Sequence, residues 1–325
     1  MYLYGIEKEG NMIFVLKVAR YSIICLCVSG CFLVSGIAEA SNIKLGGEIS
    51  TEYERYDYGG ALPSLDSRHN IYAIDGVWKP EKNIEAYVRY SWQEFKGDNA
   101  SPSESALDKY GIRIKRNNIQ WTLGTQALYL GAFGGLMDLE DKAGDRLFNG
   151  VELLKQGKTG QIRLLSGHLG GSLFADGHSR EMSSVQFGSK IRKTGWTVTA
   201  LSIPDLDGAD RFVDLSFEHP VGKITYLAEF IRSNGESGTG AKAVGFYYCF
   251  DDKNAFGLMC GEAGKSSLPQ GQEILGASEN GIQGIRLRSY HLTKAGMIIF
   301  EYVKAHSTIY DMNINTATLS YTIRF

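Results

Sequence analysis

Proline and cysteine are scarce in this chain of 325 residues, which has six prolines and five cysteines. Three of the cysteines, Cys25, Cys27 and Cys31, precede residue 40. Cys249 and Cys260 remain, on neighbouring expected strands at different heights. A disulfide between them stays open, and two cysteines without histidine partners make no zinc site. Beyond residue 40, no apolar run approaches the roughly 20 residues of a membrane helix. Excess charge is missing too: 34 Lys and Arg stand against 36 Asp and Glu, a formal −2. Residues 1–40 hold Lys8, Lys17 and Arg20 against Glu7, Glu9 and Glu39, so the remainder carries 31 against 33 and keeps the same −2. That excludes a nucleic-acid partner held by bulk positive charge.

The first forty residues are of a different kind. Lys17 and Arg20 precede the apolar stretch "YSIICLCVSGCFLVSGI", and Ala38-Glu39-Ala40 has the small-x-small form of a signal-peptidase cut. Residues 1–40 therefore read as a removable secretory signal, and 41–325 as a single mature domain. The run is also long enough for an uncleaved anchor. "VSGC" (28–31) has the form of a lipoprotein box, but the apolar run continues past it through Phe32-Leu33-Val34. The polar stretch before Met12 is atypical of a leader, so a start at Met1 or at Met12 stays open.

Glycine and aromatics are abundant, with 39 Gly, 18 Tyr and 15 Phe, a composition of turns and strands. Alternation of period two runs along most of the mature chain. Ile84, Ala86, Val88, Tyr90 and Trp92 interleave with Glu85, Tyr87, Arg89, Ser91 and Gln93. Val213, Leu215 and Phe217 alternate with Asp214, Ser216 and Glu218, and Leu319, Tyr321, Ile323 and Phe325 with Ser320, Thr322 and Arg324. About sixteen such segments are expected, or fourteen if the irregular Ala241–Phe250 and Phe256–Gly261 are not strands. Short turns at 79–83, 116–118, 156–160, 192–195, 219–223, 251–254 and 293–296 alternate with generally longer connections. A soluble sandwich gives no reason for that alternation, whereas a membrane barrel has short periplasmic turns and long outer loops. The fold class expected is an all-β, closed antiparallel transmembrane β-barrel. A secreted soluble β protein is the other class with this pattern.

Tryptophans agree with strand ends at a bilayer interface. Trp78, Trp121 and Trp196 lie near short turns, Phe325 ends on that side, and Trp92 sits toward the other rim. Because lipid satisfies no free strand edge, the last strand must pair with the first. About sixteen strands enclose a water-filled channel. Alternation then turns Arg89, Arg113, Lys115, Arg163, Arg286 and Arg288 toward the lumen as a basic wall, with Glu48, Glu85, Asp214, Glu229 and Glu301 among the inward acids. The third long connection, 127–146, is too apolar for a surface loop, yet carries Asp138, Glu140, Asp141 and Asp145. Folded into the lumen, it would rest its apolar side on the wall and form a constriction.

With its leader, "WTLGTQ" (121–126) entering the third loop, "DRLFNGVEL" (145–153) leaving it and the closing "LSYTIRF", the mature chain resembles the general, sixteen-stranded class of bacterial outer-membrane porins. The resemblance implies a third-loop constriction, a homotrimer, and recognition of the C-terminal strand by the barrel-assembly machinery. It also implies an outer membrane with lipopolysaccharide, and passive diffusion of small polar solutes and ions without cofactor, metal or nucleic acid. The short acidic-aromatic loop motif of enterobacterial porins is absent, so the carry-over stops at a third loop and a basic wall. A substrate-selective channel on the same barrel is one alternative. An outer-membrane enzyme of the phospholipase type is another, with His168 near Ser172 and His178 beside Ser179, but both pairs fall in an outer loop, and the expectation is no enzyme.

Overall fold

The computed structural model describes residues 42–325 except 61, 99–102, 140–145, 175, 205–208, 236–239, 270–271, 273–274 and 276–280. The signal expected over 1–40 therefore lies outside the described residues. The strands are β1 (Ile43–Asp57), β2 (Leu65–Glu81), β3 (Ile84–Gly97), β4 (Glu104–Arg116) and β5 (Ile119–Gln126). Then come β6 (Tyr129–Leu130) and β7 (Met137–Asp138), β8 (Phe148–Gln156), β9 (Gly160–Leu169), β10 (Arg180–Ile191), β11 (Thr194–Ser202) and β12 (Arg211–Val221). The last six are β13 (Ile224–Ser233), β14 (Ala241–Cys249), β15 (Asn254–Ala263), β16 (Ile282–Leu292), β17 (Gly296–Ser307) and β18 (Met312–Arg324). Among the described residues, all but β6 and β7 form one closed antiparallel barrel of sixteen strands.

This settles the strand number at the larger of the two values. β14 and β15 pair along their full lengths, from Ala241 opposite Ala263 to Cys249 opposite Ala255. The same register puts Cys260 opposite Val244, five residues from Cys249, and both thiols are free. Among the described residues no helix is long and apolar enough to cross a membrane. Crossing is left to the strands.

The two faces of the wall have opposite chemistry. Val88, Tyr90, Ile112, Leu123, Val185, Val213, Leu215, Phe300 and Leu319 are exposed on the outside. Arg89, Ser91, Gln93, Thr122, Glu152, Gln186, Thr199, Asp214, Ser216 and Glu229 are buried within. Exposed apolar surface on this scale needs a nonaqueous neighbour, and hydrocarbon supplies it. Two irregularities adjust the wall. Residues Lys79 and Pro80 are squeezed out of register between Trp78 and Glu81, where a residue without an N–H does no harm. Between β3 and β4, Arg89 faces Lys109 and Tyr90 faces Leu107, leaving Asp108 as an extra residue. That bulge turns Asp108 and Lys109 inward together, between the exposed Leu107 and Tyr110.

β1 and β18 close the ring, from Glu48 opposite Arg324 to Asp57 opposite Asn315. The chain end adds a reciprocal pair: the Gly47 N–H donates to the Phe325 carbonyl (2.8 Å) and the Phe325 N–H to the Gly47 carbonyl (3.1 Å). The phenyl ring lies directly on Gly47, where an added Cβ would stand 2.6 Å from the ring's Cζ. Only glycine fits there. Gly47→Val should therefore lower the temperature at which the folded form converts to the unfolded form on unheated-versus-heated gel electrophoresis, whereas Gly195→Ala, whose Cβ meets nothing closer than 3.9 Å, should leave it unchanged.

Candidate functional site

The inner wall is not polar everywhere. At the outer ends of β9 to β13 the inward positions are Leu165, Met182, Leu201, Phe212 and Ile231, all buried. Against them pack Leu128, Leu130, Phe133, Leu136, Met137 and Leu139 of the third connection, in one continuous apolar cluster. An apolar patch facing the inside of a hollow barrel would otherwise meet water, and burying it gains about 25 cal/mol per Å². The segment's own backbone is organised as a small hairpin. β6 and β7 pair through Tyr129 opposite Asp138, and the Leu139 N–H donates to the Leu128 carbonyl at 2.8 Å.

Polar contacts fix the hairpin's tip. The Phe133 N–H donates to Glu229 Oε2 at 2.6 Å. An otherwise unpaired donor of a tight turn thus meets a buried wall acid. Beside it the Ala132 N–H donates to Ser216 Oγ (3.1 Å), whose hydroxyl donates to Asp214 Oδ2 (2.7 Å). Gly131, at φ +96°, passes so close that a Cβ would lie 2.0 Å from Glu229 Oε1. Arg163 Nη1 donates to the Tyr129 carbonyl at 3.2 Å, and the Asp138 N–H to Gln272 Oε1 at 2.6 Å in the connection between β15 and β16. Leu268 and Leu275 of that same connection join the apolar cluster. Burial, with the Asp138 and Glu229 carboxylates close by, raises the Tyr129 hydroxyl above the ordinary tyrosine range. The phenol stays neutral at physiological pH and donates to the Ala132 carbonyl at 3.2 Å, while part of the ring still faces open space.

Of the four acids expected on the loop, Asp138 is half-buried at the end of the hairpin. Glu140, Asp141 and Asp145 lie outside the described residues. The basic wall residues are inward, but each arginine has a carboxylate beside it. Arg89 lies 3.4 Å from Glu48 and 3.8 Å from Asp108, Arg113 2.5 Å from Glu85, and Arg163 2.5 Å from Glu152. Arg286 and Arg288 share Glu301, at 3.6 and 3.2 Å. Lys115 is exposed one residue before the end of β4.

The aromatics are distributed round the outside. Trp78, Trp121 and Phe325 are exposed, Trp92 stacks on Tyr72 with centroids 5.3 Å apart, and Trp196 tilts against Phe187, also at 5.3 Å. Sequence reasoning overlooked Asp108 and Lys109, because a bulge breaks the parity count. It counted Glu229 as one inward acid among several and gave no sign that the third loop would sit on it. It also overlooked Gln272, whose partner is 134 positions away.

No family model and no curated protein matches the chain. Solved structures do. A triple mutant of the Rhodopseudomonas blastica porin superposes with a TM-score of 0.58 at 8% identity, covering 86% of this chain and 100% of that one. Salmonella typhi OmpF, in a complex with daunomycin, gives 0.60 at 10% identity, covering 88% of this chain and 98% of that one. At such identities the likeness is one of fold: the chain folds as a sixteen-stranded general porin does.

The Glu229 contacts set a quantitative expectation. Removing the carboxylate leaves the buried Phe133 N–H without an acceptor, a cost of about 1–3 kcal/mol. Glu229→Ala should speed amide hydrogen exchange at Phe133 by about five- to hundredfold, with exchange in β1 and β18 unchanged.

Proposed function

We propose that the mature chain is an outer-membrane porin: a water-filled channel for passive diffusion of small hydrophilic solutes and ions, not an enzyme. In this reading residues 1–40 are removed on export and the barrel sits in the outer membrane of a diderm bacterium. Lipopolysaccharide and phospholipid meet its apolar belt, and the β18 end serves as its assembly signal. Three copies associate, as the fold's resemblance suggests. The observation that carries the proposal is the apolar third loop seated on the wall with its tip held by Glu229. A barrel of this size has no dry core of its own, and a loop tied across its inside narrows an aqueous passage rather than filling it. Asp138, Glu140, Asp141 and Asp145 are the proposed constriction acids, and Arg89, Arg113, Lys115, Arg163, Arg286 and Arg288 the proposed basic wall.

The pairing of each wall arginine with a nearby carboxylate supports weak ionic discrimination, because a neutralised wall exerts little field on a passing ion. In planar bilayers the detergent-purified protein should give stepwise conductance increments. Under a salt gradient its reversal potential should be small and of the sign of mild cation preference. Neutralising Asp138, Glu140 and Asp141 together should move that potential toward anion preference. The absence of any conductance steps from a folded, heat-modifiable sample would overturn the channel reading. An unchanged reversal potential in the triple variant would place the loop acids away from the ion path.

A further inference from the structure

The lumen has two chemically different sides. Around β1 to β4 and the end of β18 it is crowded with charge: Glu48, Asp108, Arg89 and Arg324 are linked by contacts of 3.0 to 3.8 Å. Across from them, below the anchored loop and toward the short turns, the wall of β9 to β12 forms a recess of about 830 Å³. Its lining is different in kind. Gln161, Gln186, Thr197 and Ser216 supply amides and hydroxyls, Tyr129 and Gly131 of the loop form another side, and the titratable groups are Lys158, Lys190 and Glu218.

The hollow exists because inward positions there carry no side chain. Gly188 on β10 and Gly195 on β11 both line it. A Cβ at Gly188 would meet Gln161 Cγ and Thr197 Oγ1 at 3.4 Å, an ordinary contact, so packing does not demand glycine at that position. What the absent side chain leaves is room. Gln186 is buried and already ordered, its Nε2 donating to Thr199 Oγ1 at 3.1 Å, and its carbonyl oxygen and second amide hydrogen are left for another partner.

Resting on the channel reading, we propose that this recess is a weak binding site for a neutral polyhydroxylated solute, a mono- or disaccharide, which makes the channel selective for such solutes over others of the same size. A carboxamide both donates and accepts, as each sugar hydroxyl does, whereas the arginine and carboxylate side of the lumen offers donors only or acceptors only. The volume is in the range of small-ligand sites, and the neutral Tyr129 phenol adds an amphipathic surface of the kind that covers an apolar sugar face. A wall open to the channel along one side lets the solute leave again, as transport requires.

The test is ion-current blockade in planar bilayers, with maltose, gluconate, and a poly(ethylene glycol) of maltose's hydrodynamic radius as probes. Maltose should reduce the current saturably, and the other two should reduce it without saturation. Gly188→Val should raise the half-blocking maltose concentration at least tenfold while the salt conductance stays within twofold of the parent. Gln161→Ala, at an exposed position of β9, should raise it at least threefold. Equal effects of maltose and the size-matched polymer, or a half-blocking concentration unmoved in both variants, would overturn the inference and leave the channel itself standing. A folded protein that gives no conductance would overturn both.

Discussion

A strand edge cannot be left unpaired in hydrocarbon, where nothing replaces water at its N–H and C=O groups. Everything else in this structure follows from meeting that constraint with sixteen strands. The ring closes only if β1 and β18, 276 residues apart at Glu48 and Arg324, find each other in register. At the short-turn end the Phe325 backbone exchanges two hydrogen bonds with Gly47, and its ring covers the glycine. A barrel wide enough to be hollow then turns the usual partition outside in. Leucines and phenylalanines meet lipid, and the arginines and glutamates sit within.

A hollow interior creates a second difficulty, the placing of charge. Ionised side chains inside the lumen would repel or trap ions if left single. The wall resolves this locally: Arg113 with Glu85, Arg163 with Glu152, and Arg286 and Arg288 with Glu301. Such pairs, bordered by water, contribute little to stability. Their consequence is electrostatic, since they flatten the field along the passage. The β10 to β12 side is quieter still, lined largely by amides, hydroxyls and glycine.

The third loop is held by two means at once. Its leucines and Phe133 cover inward apolar positions at the outer ends of β9 to β13, and its tip is tied to Glu229 through the Phe133 N–H. The apolar contact fixes which face of the loop meets the wall, and the carboxylate fixes its position along it. Gly131 is where the two meet, since any side chain there would occupy the place of the Glu229 carboxylate. The connection between β15 and β16 closes over the other end through Gln272 and Leu275. Two long connections that are far apart in sequence thus form one packed unit.

Most strands, the short turns between them and the identity of the lipid-facing residues were legible in the sequence, because a period of two is a local property that needs no partner to be seen; the irregular β14 and β15 left the count at sixteen or fourteen until their pairing decided it. So was the oddness of residues 127–146, apolar where a surface loop is polar. The alternation passed over Asp108 and Lys109, because a bulge there breaks the parity. Which carboxylate each arginine meets, and that Glu229 rather than its inward neighbours receives the loop, were decided by the tertiary structure alone. These depend on register between strands and on the path of a loop across the barrel, and both are set only when the ring has closed.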